Sequence, residues 1–186
     1  MIISIRGTSG SGKSHLARRI MAMYPGQQDV MAPKRKKPIM SVFTRDPPTG
    51  AILVVLGHYQ IANGGIDTIG DLNDVYNTIR TVASTSITTG AMDVLYEGMN
   101  MGDGTTNFMQ LVREGHDARI VHLTTPLEQC VEGVRARGHK IAAASIEKTM
   151  RKVDSNVKTF RALRVPNVFA GDREACFNAI KWWLKL

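Results

Sequence analysis

The chain has only two cysteines, Cys130 and Cys176, among 186 residues. They offer neither the paired spacing of a zinc knuckle nor the density of a disulfide framework. Cysteine use of this kind fits a reducing compartment and points to the cytoplasm. No apolar run approaches the ~20 residues that a membrane helix needs, so no membrane association is expected. No secretory leader is expected either, because the first residues read as a strand pattern, Ile2-Ile3-Ser4-Ile5. There is no internal repeat, no low-complexity tract and no sign of a second domain. Residues 1–186 therefore read as one domain, long enough to bury a full core.

Acidic side chains are in short supply. Sixteen Asp and Glu stand against 24 Lys and Arg, for a net charge of +8 and a pI near 9.8. Such a balance suits a polyanionic partner such as nucleic acid. A basic enzyme that binds only nucleotides, or charge kept for solubility, would show the same excess.

What is present is most specific near the amino end. Gly7-Thr8-Ser9-Gly10-Ser11-Gly12-Lys13-Ser14 reads G-x-x-x-x-G-K-S, the phosphate-binding loop pattern. It follows the Ile2–Ile5 strand and precedes a helical run from His15 to Met23 that Pro25-Gly26 stops. Glycines let successive N–H groups turn inward as an anion nest, and the helix start adds unpaired N–H groups and a positive dipole end. Gly7 through His15 are thus the expected nucleotide-binding residues. Lys13 would reach the β- and γ-phosphates of ATP, and Ser14 would offer its hydroxyl to Mg²⁺.

Further along, a basic run Lys34-Arg35-Lys36-Lys37 enters a strand at 39–44, expected at a sheet edge. A turn at 46–50 leads to a core strand at 51–56, making a hairpin. His58 and Tyr59 follow that strand, at the end where ligands gather in open α/β sheets, and could stack on or hydrogen-bond a substrate or simply pack. Asp67, in the loop Gly64-Gly65-Ile66-Asp67, could accept a proton from an attacking hydroxyl or cap a turn. A strand at 91–98 ends in Glu97, a carboxylate suited to the Mg²⁺ shell of a phosphate site. Strands at 119–124 and 165–170, with helices at 71–82, 105–114, 127–137, 145–163 and 172–186, complete the pattern. Arg135 and Arg137, with His139 and Lys140, begin a lid segment over about residues 135–147. Its arginines could close over moving phosphates or merely favour a helix C-terminus. The expected architecture is α/β and P-loop kinase-like. It has a five-stranded, mainly parallel sheet flanked by helices, an extra hairpin and a small lid.

The P-loop, the segments 54–59, 64–69 and 95–98, Thr124-Thr125-Pro126-Leu127-Glu128-Gln129-Cys130 and Arg135-Ala136-Arg137-Gly138 together resemble the bacteriophage P-loop kinases. More narrowly, the set is similar to the phage 5-hydroxymethyluracil DNA kinases. That resemblance implies ATP-dependent phosphorylation of the base hydroxymethyl group in DNA, within the cytoplasm of an infected bacterium. It implies Asp67 in the catalytic segment and Glu97 as the metal-side acid, either of which could be the base. Residues 34–37 and the long basic helix become candidate DNA-backbone contacts. A hydroxymethyl group inside a duplex is poorly placed for in-line attack, so the nucleotide is expected to flip, with His58 and Tyr59 holding the base. Two rivals stand beside this reading: a kinase for free nucleosides or nucleotides, and a DNA-binding NTPase that transfers nothing. The absence of an Asp-Glu pair after a strand argues against the second. Oligomeric state and the choice of ATP or GTP are left open.

Overall fold

The computed structural model describes residues 1–45, 51–60, 64–89, 92–98 and 104–186. The turn expected at 46–50 lies outside them. The elements run β1 (Ile2–Arg6), α1 (Lys13–Met21), β2 (Gly26–Val30), β3 (Met40–Thr44), β4 (Ile52–Leu56), a 3-10 turn (Ile66–Thr68) and α2 (Leu72–Thr89). Next come β5 (Met92–Glu97), α3 (Thr105–Arg113), β6 (Ala118–Leu123), α4 (Leu127–Arg135), α5 (Ala143–Ala162), β7 (Val168–Gly171) and α6 (Arg173–Leu184).

Among the described residues, the strands form a single sheet in the order β2-β3-β4-β5-β1-β6-β7. The five strands from β4 to β7 in that order run parallel. They are the expected parallel core, and β3 joins β4 antiparallel as the expected hairpin. The sheet has seven strands because Gly26–Val30, which reads as a polar connection, pairs antiparallel with β3 from Gly26↔Thr44 to Val30↔Met40. That strand is missed by periodicity because its central residues, Gln27, Gln28 and Asp29, are all exposed. It exists because β3 offers a free edge. β3 is consequently interior, and the true edge is β2, whose polar and charged side chains discourage further strand addition.

Parallel strands are covered on both faces, so they read as continuous apolar runs, and the pleat sorts alternate residues. Ile3, Ile5, Leu53, Val55 and Leu95 face Leu16 and Ile20 of α1 and Cys176 and Ile180 of α6. Ile2, Val54, Leu56, Val94 and Tyr96 face Val75 and Ile79 of α2, Phe108 and Leu111 of α3, and Phe160 of α5. A smaller cluster of Cys130, Val131 and Val134 with Ile146 joins α4 to α5. Arg6, fully buried at the end of β1, lays its guanidinium 5.3 Å from the Phe108 ring centroid and 5.0 Å from that of Phe160. Its Nε donates to Ser4 Oγ at 3.1 Å.

Phe160 thus supplies both core volume and a π-face for a buried cation. Phe160→Ala is expected to lower stability by about 3–5 kcal/mol, read as a reduced urea midpoint at unchanged slope.

Candidate active site

The chain leaves β1 through a tight curl. Gly7, Gly10 and Gly12 all have positive φ, and the last two are pressed against neighbours. A Cβ on Gly10 would lie 2.0 Å from the Cys130 carbonyl oxygen, and one on Gly12 would lie 2.7 Å from Arg173 Nε. Thr8 Oγ1 donates to the Ile146 carbonyl at 3.1 Å, and Thr125 Oγ1 donates to the Ser11 carbonyl at 2.9 Å. α4, α5 and the loop after β6 therefore hold the curl in shape from outside. Lys13 is buried, and its Nζ donates to the carbonyls of Gly7 at 2.8 Å and Thr8 at 3.0 Å. Its ammonium is kept at the mouth of the nest, where an incoming phosphate would compete for it.

β1 and β5 are parallel neighbours, with Ile5 paired to Glu97. That register brings Glu97 across the sheet to the start of α1, where Ser14 Oγ donates to Glu97 Oε1 at 2.7 Å. Glu97 is almost wholly buried, and burial pushes its carboxyl above the ordinary range, although nearby Lys13 and the Ser14 bond pull the other way.

Asp67 reaches the same place by backbone contact. Gly57 has φ +85°, and a Cβ there would meet the Gly65 carbonyl oxygen at 2.0 Å. Gly65 has φ +87°, and a Cβ there would meet the Glu97 carbonyl oxygen at 2.2 Å. The end of β4, the 64–68 segment and the end of β5 are stacked main chain on main chain, which only glycine permits. A Cβ on Gly98 would lie 3.0 Å from Asp67 Oδ1. Arg35 secures the segment by donating to the Thr68 and Ile69 carbonyls.

The result is an open cleft of about 710 Å³. Ser9, Gly10, Gly12, Lys13, Ser14 and His15 line one wall, and Asp67, Glu97, His58 and Lys37 line the other. Arg18, Arg137, His139 and Arg173 add cationic or basic groups around the rim. Two carboxylates stand amid many cations at the C-terminal ends of parallel strands. Such a site can bind a polyphosphate and hold a proton acceptor near its end.

A family described as AAA domain matches residues 2–163. The 5-hmdU DNA kinase of Pseudomonas phage PaMx11 is 35% identical over 192 residues, spanning 99% of this chain and 97% of that protein. This chain belongs to that family of P-loop kinases. Among solved structures, a deoxyadenosine kinase from M. mycoides is similar with a TM-score of 0.45 at 13% identity, covering 100% of this chain and 98% of that one. A gluconokinase from Sinorhizobium meliloti 1021 has a TM-score of 0.45 at 12% identity, covering 99% and 93%.

Not every expected site residue of the kinase reaches the cleft. Arg137 lines it and is half-buried, its Nε donating to the Gly133 carbonyl at 3.0 Å. Arg135, one position short of the turn in the chain, is exposed and does not line the cleft. The basic run also divides. Lys37 faces the cleft, Arg35 is spent on the 68–69 carbonyls, and Lys34 and Lys36 are exposed. His58 lines the cleft, whereas Tyr59 lies behind it, buried in the core beneath Arg18. Sequence reasoning missed Arg173. It opens α6, remote in sequence, and its Nε donates to the Ser11 carbonyl at 3.0 Å. No motif announces it, since an arginine after Asp172 looks like an ordinary exposed helix start. Among the described residues, no group of three or more His, Cys, Asp or Glu could hold a metal ion unaided, and no helix is long and apolar enough to cross a membrane.

The raised carboxyl of Glu97 has a measurable consequence. The folded, nucleotide-free kinase binds that proton more tightly than the unfolded chain does. The associated stability is complete below the ordinary carboxylate range and is lost as pH rises through the raised value. Glu97→Gln cannot ionise and keeps an acceptor for Ser14. It is expected to be more stable than the parent at neutral pH, with the gap closing as pH falls below about 4. Chemical denaturation across that range measures the gap.

Proposed function

We propose that this kinase transfers the γ-phosphoryl group of ATP to the hydroxymethyl oxygen of 5-hydroxymethyluracil in DNA. The observation that carries the reading is the convergence of Lys13, Glu97 and Asp67 on one cleft at the P-loop. A relative spanning nearly the whole chain bears the name 5-hmdU DNA kinase, and the excess of basic side chains suits a DNA substrate. A DNA substrate of this kind places the reaction in the cytoplasm of an infected bacterium.

The N–H groups of residues 8–14 cradle the phosphates, and Lys13 exchanges its carbonyl partners for the β- and γ-oxygens. Asp67 takes the proton of the acceptor hydroxyl. The oxygen bonds to the γ-phosphorus as the bond to the β–γ bridging oxygen breaks, and ADP leaves. Arg137 and Arg173 offset charge on the transferring group, a role the sequence reading gave to Arg135 and Arg137 together. The Ser14 hydroxyl and the Glu97 carboxylate, 2.7 Å apart at the cleft wall, are hard oxygen donors that fit Mg²⁺. Two such donors are what an ion sharing its shell with phosphates and water requires of a protein. When bound, Mg²⁺ would neutralise charge on the β- and γ-oxygens. Lys37 at the cleft and exposed basic side chains of α5, such as Lys148 and Lys152, would contact the DNA backbone.

Incubation with labelled ATP and duplexes carrying either 5-hydroxymethyluracil or thymine, followed by digestion to nucleosides, tests the reading. Label is expected on the modified nucleoside alone, and equal labelling of the free nucleoside would favour a small-molecule kinase instead. Lys13→Ala is expected to reduce transfer about 100-fold or more, and Asp67→Asn to reduce it about 100-fold while ATP still binds. An unchanged rate in Asp67→Asn would move the role of base to Glu97.

A further inference from the structure

A second, smaller cavity of about 220 Å³ adjoins the phosphate cleft, and the two share Arg18 and His58 as lining residues. Nothing in the phosphoryl-transfer chemistry uses it. Its floor is Met21, Pro38, Ser41 and Tyr59, and its rim is Gln27, Asp29 and Gln60. The strands β2 and β3 supply Gln27, Asp29 and Ser41, so the addition to the parallel sheet forms one side of this cavity.

The polar atoms are organised. Asp29 Oδ1 accepts from Gln27 Nε2 at 2.9 Å and from Ser41 Oγ at 2.6 Å, and Gln60 Nε2 lies 3.5 Å from Asp29 Oδ2. The carboxylate thus orients both amides by their NH₂ groups, leaving the carbonyl oxygens to accept from an occupant. Deeper in, His58 and Tyr59 are more than nine-tenths buried. The His58 Nδ1 and the Tyr59 hydroxyl have no hydrogen-bond partner among the described residues. Buried polar atoms are seldom left unpaired, and both residues belong to the lining of a cavity whose occupant could pair them.

We infer that this cavity receives a single pyrimidine base turned out of the duplex, held so that its 5-substituent passes His58 toward Asp67. The inference rests on the function proposed above. The cavity is smaller than the ~300–1,000 Å³ that larger organic ligands occupy, so it has room for one ring and not for a base pair. The Asp29 carboxylate at the rim disfavours phosphate, and the occupant is therefore an uncharged part of the nucleotide. A uracil ring presents an N–H flanked by two carbonyls. That edge lies opposite the sugar, so it enters first and meets the buried His58 imidazole and Tyr59 hydroxyl, each able to donate or accept, while the Gln27 and Gln60 amides flank the entry. Met21 and Pro38 supply apolar contact for the ring. Removal of the base from its stack follows from the size of the cavity.

The test uses the full chain and a duplex with 2-aminopurine next to 5-hydroxymethyluracil, whose fluorescence rises when its neighbour leaves the stack. Binding of the parent protein is expected to produce that rise. Ser41→Phe, which fills the cavity, and the rim variant Gln27→Ala/Gln60→Ala are expected to abolish or weaken it. Both should raise KM for modified DNA about tenfold or more, with KM for ATP unchanged. The rim pair is exposed, so it carries the test even if Ser41→Phe fails to fold. The absence of a rise with the parent protein, or a rise and KM that neither variant alters, would overturn the inference. Labelled product with such indifferent variants would sink the cavity assignment and leave the proposed reaction standing. A variant-sensitive rise without labelled product would do the reverse.

Discussion

A single hydrogen bond ties the molecule together functionally: Ser14 Oγ to Glu97 Oε1, 2.7 Å long and part-buried. It joins the first residues of α1 to the last of β5, 83 positions apart in sequence. It can form only if β5 lies next to β1 in a parallel register, with Ile5 opposite Glu97. The chain reaches that place from β4 through a parallel crossover, in which α2 packs Val75, Tyr76 and Ile79 on the sheet. Burial raises the Glu97 carboxyl, and the Lys13 charge and then this bond act against that rise. A charge-lined site at the C-terminal ends of the central strands is thus supported by the apolar packing beneath it.

The rest of the site follows from how closely loops approach that bond. Gly57, Gly65 and the Glu97 carbonyl are stacked with no room for a side chain, which draws Asp67 in beside Gly98. Gly10 is pressed on the α4 backbone and Gly12 on Arg173, so the phosphate curl is clamped by elements that follow it by more than a hundred residues. The clamps are made of carbonyls, hydroxyls and one guanidinium. Rigidity of this kind prepares donors for an anion before it arrives, which is how fixed dipoles stabilise charge more effectively than water can.

The added strands β2 and β3 have a different logic. They contribute little to the apolar core beyond Phe43 and its neighbours, and they extend the sheet on the side where β4 would otherwise be an edge. Burying β4 lets it carry the fully apolar run Leu53–Leu56 and end abruptly at Gly57. The exposed face of the extension is polar, and it borders the smaller cavity beside the cleft.

Local patterns in the sequence determined the P-loop, the apolar strands β1, β4, β5 and β6, the helices between them and a carboxylate at the end of β5. Each of these is written in spacing of two or 3.6 residues, or in glycines at fixed offsets. β2 was illegible because an exposed edge strand has no buried face to imprint a period. Arg173 was illegible because its partner, the Ser11 carbonyl, lies 162 residues away. The pattern likewise gave no way to tell Arg137, half-buried at the cleft, from the exposed Arg135, or Lys37 from Lys34 and Lys36. Which member of a charged cluster meets the site depends on where a turn ends and what packs beside it. Those are contacts between distant segments, and only the folded chain creates them.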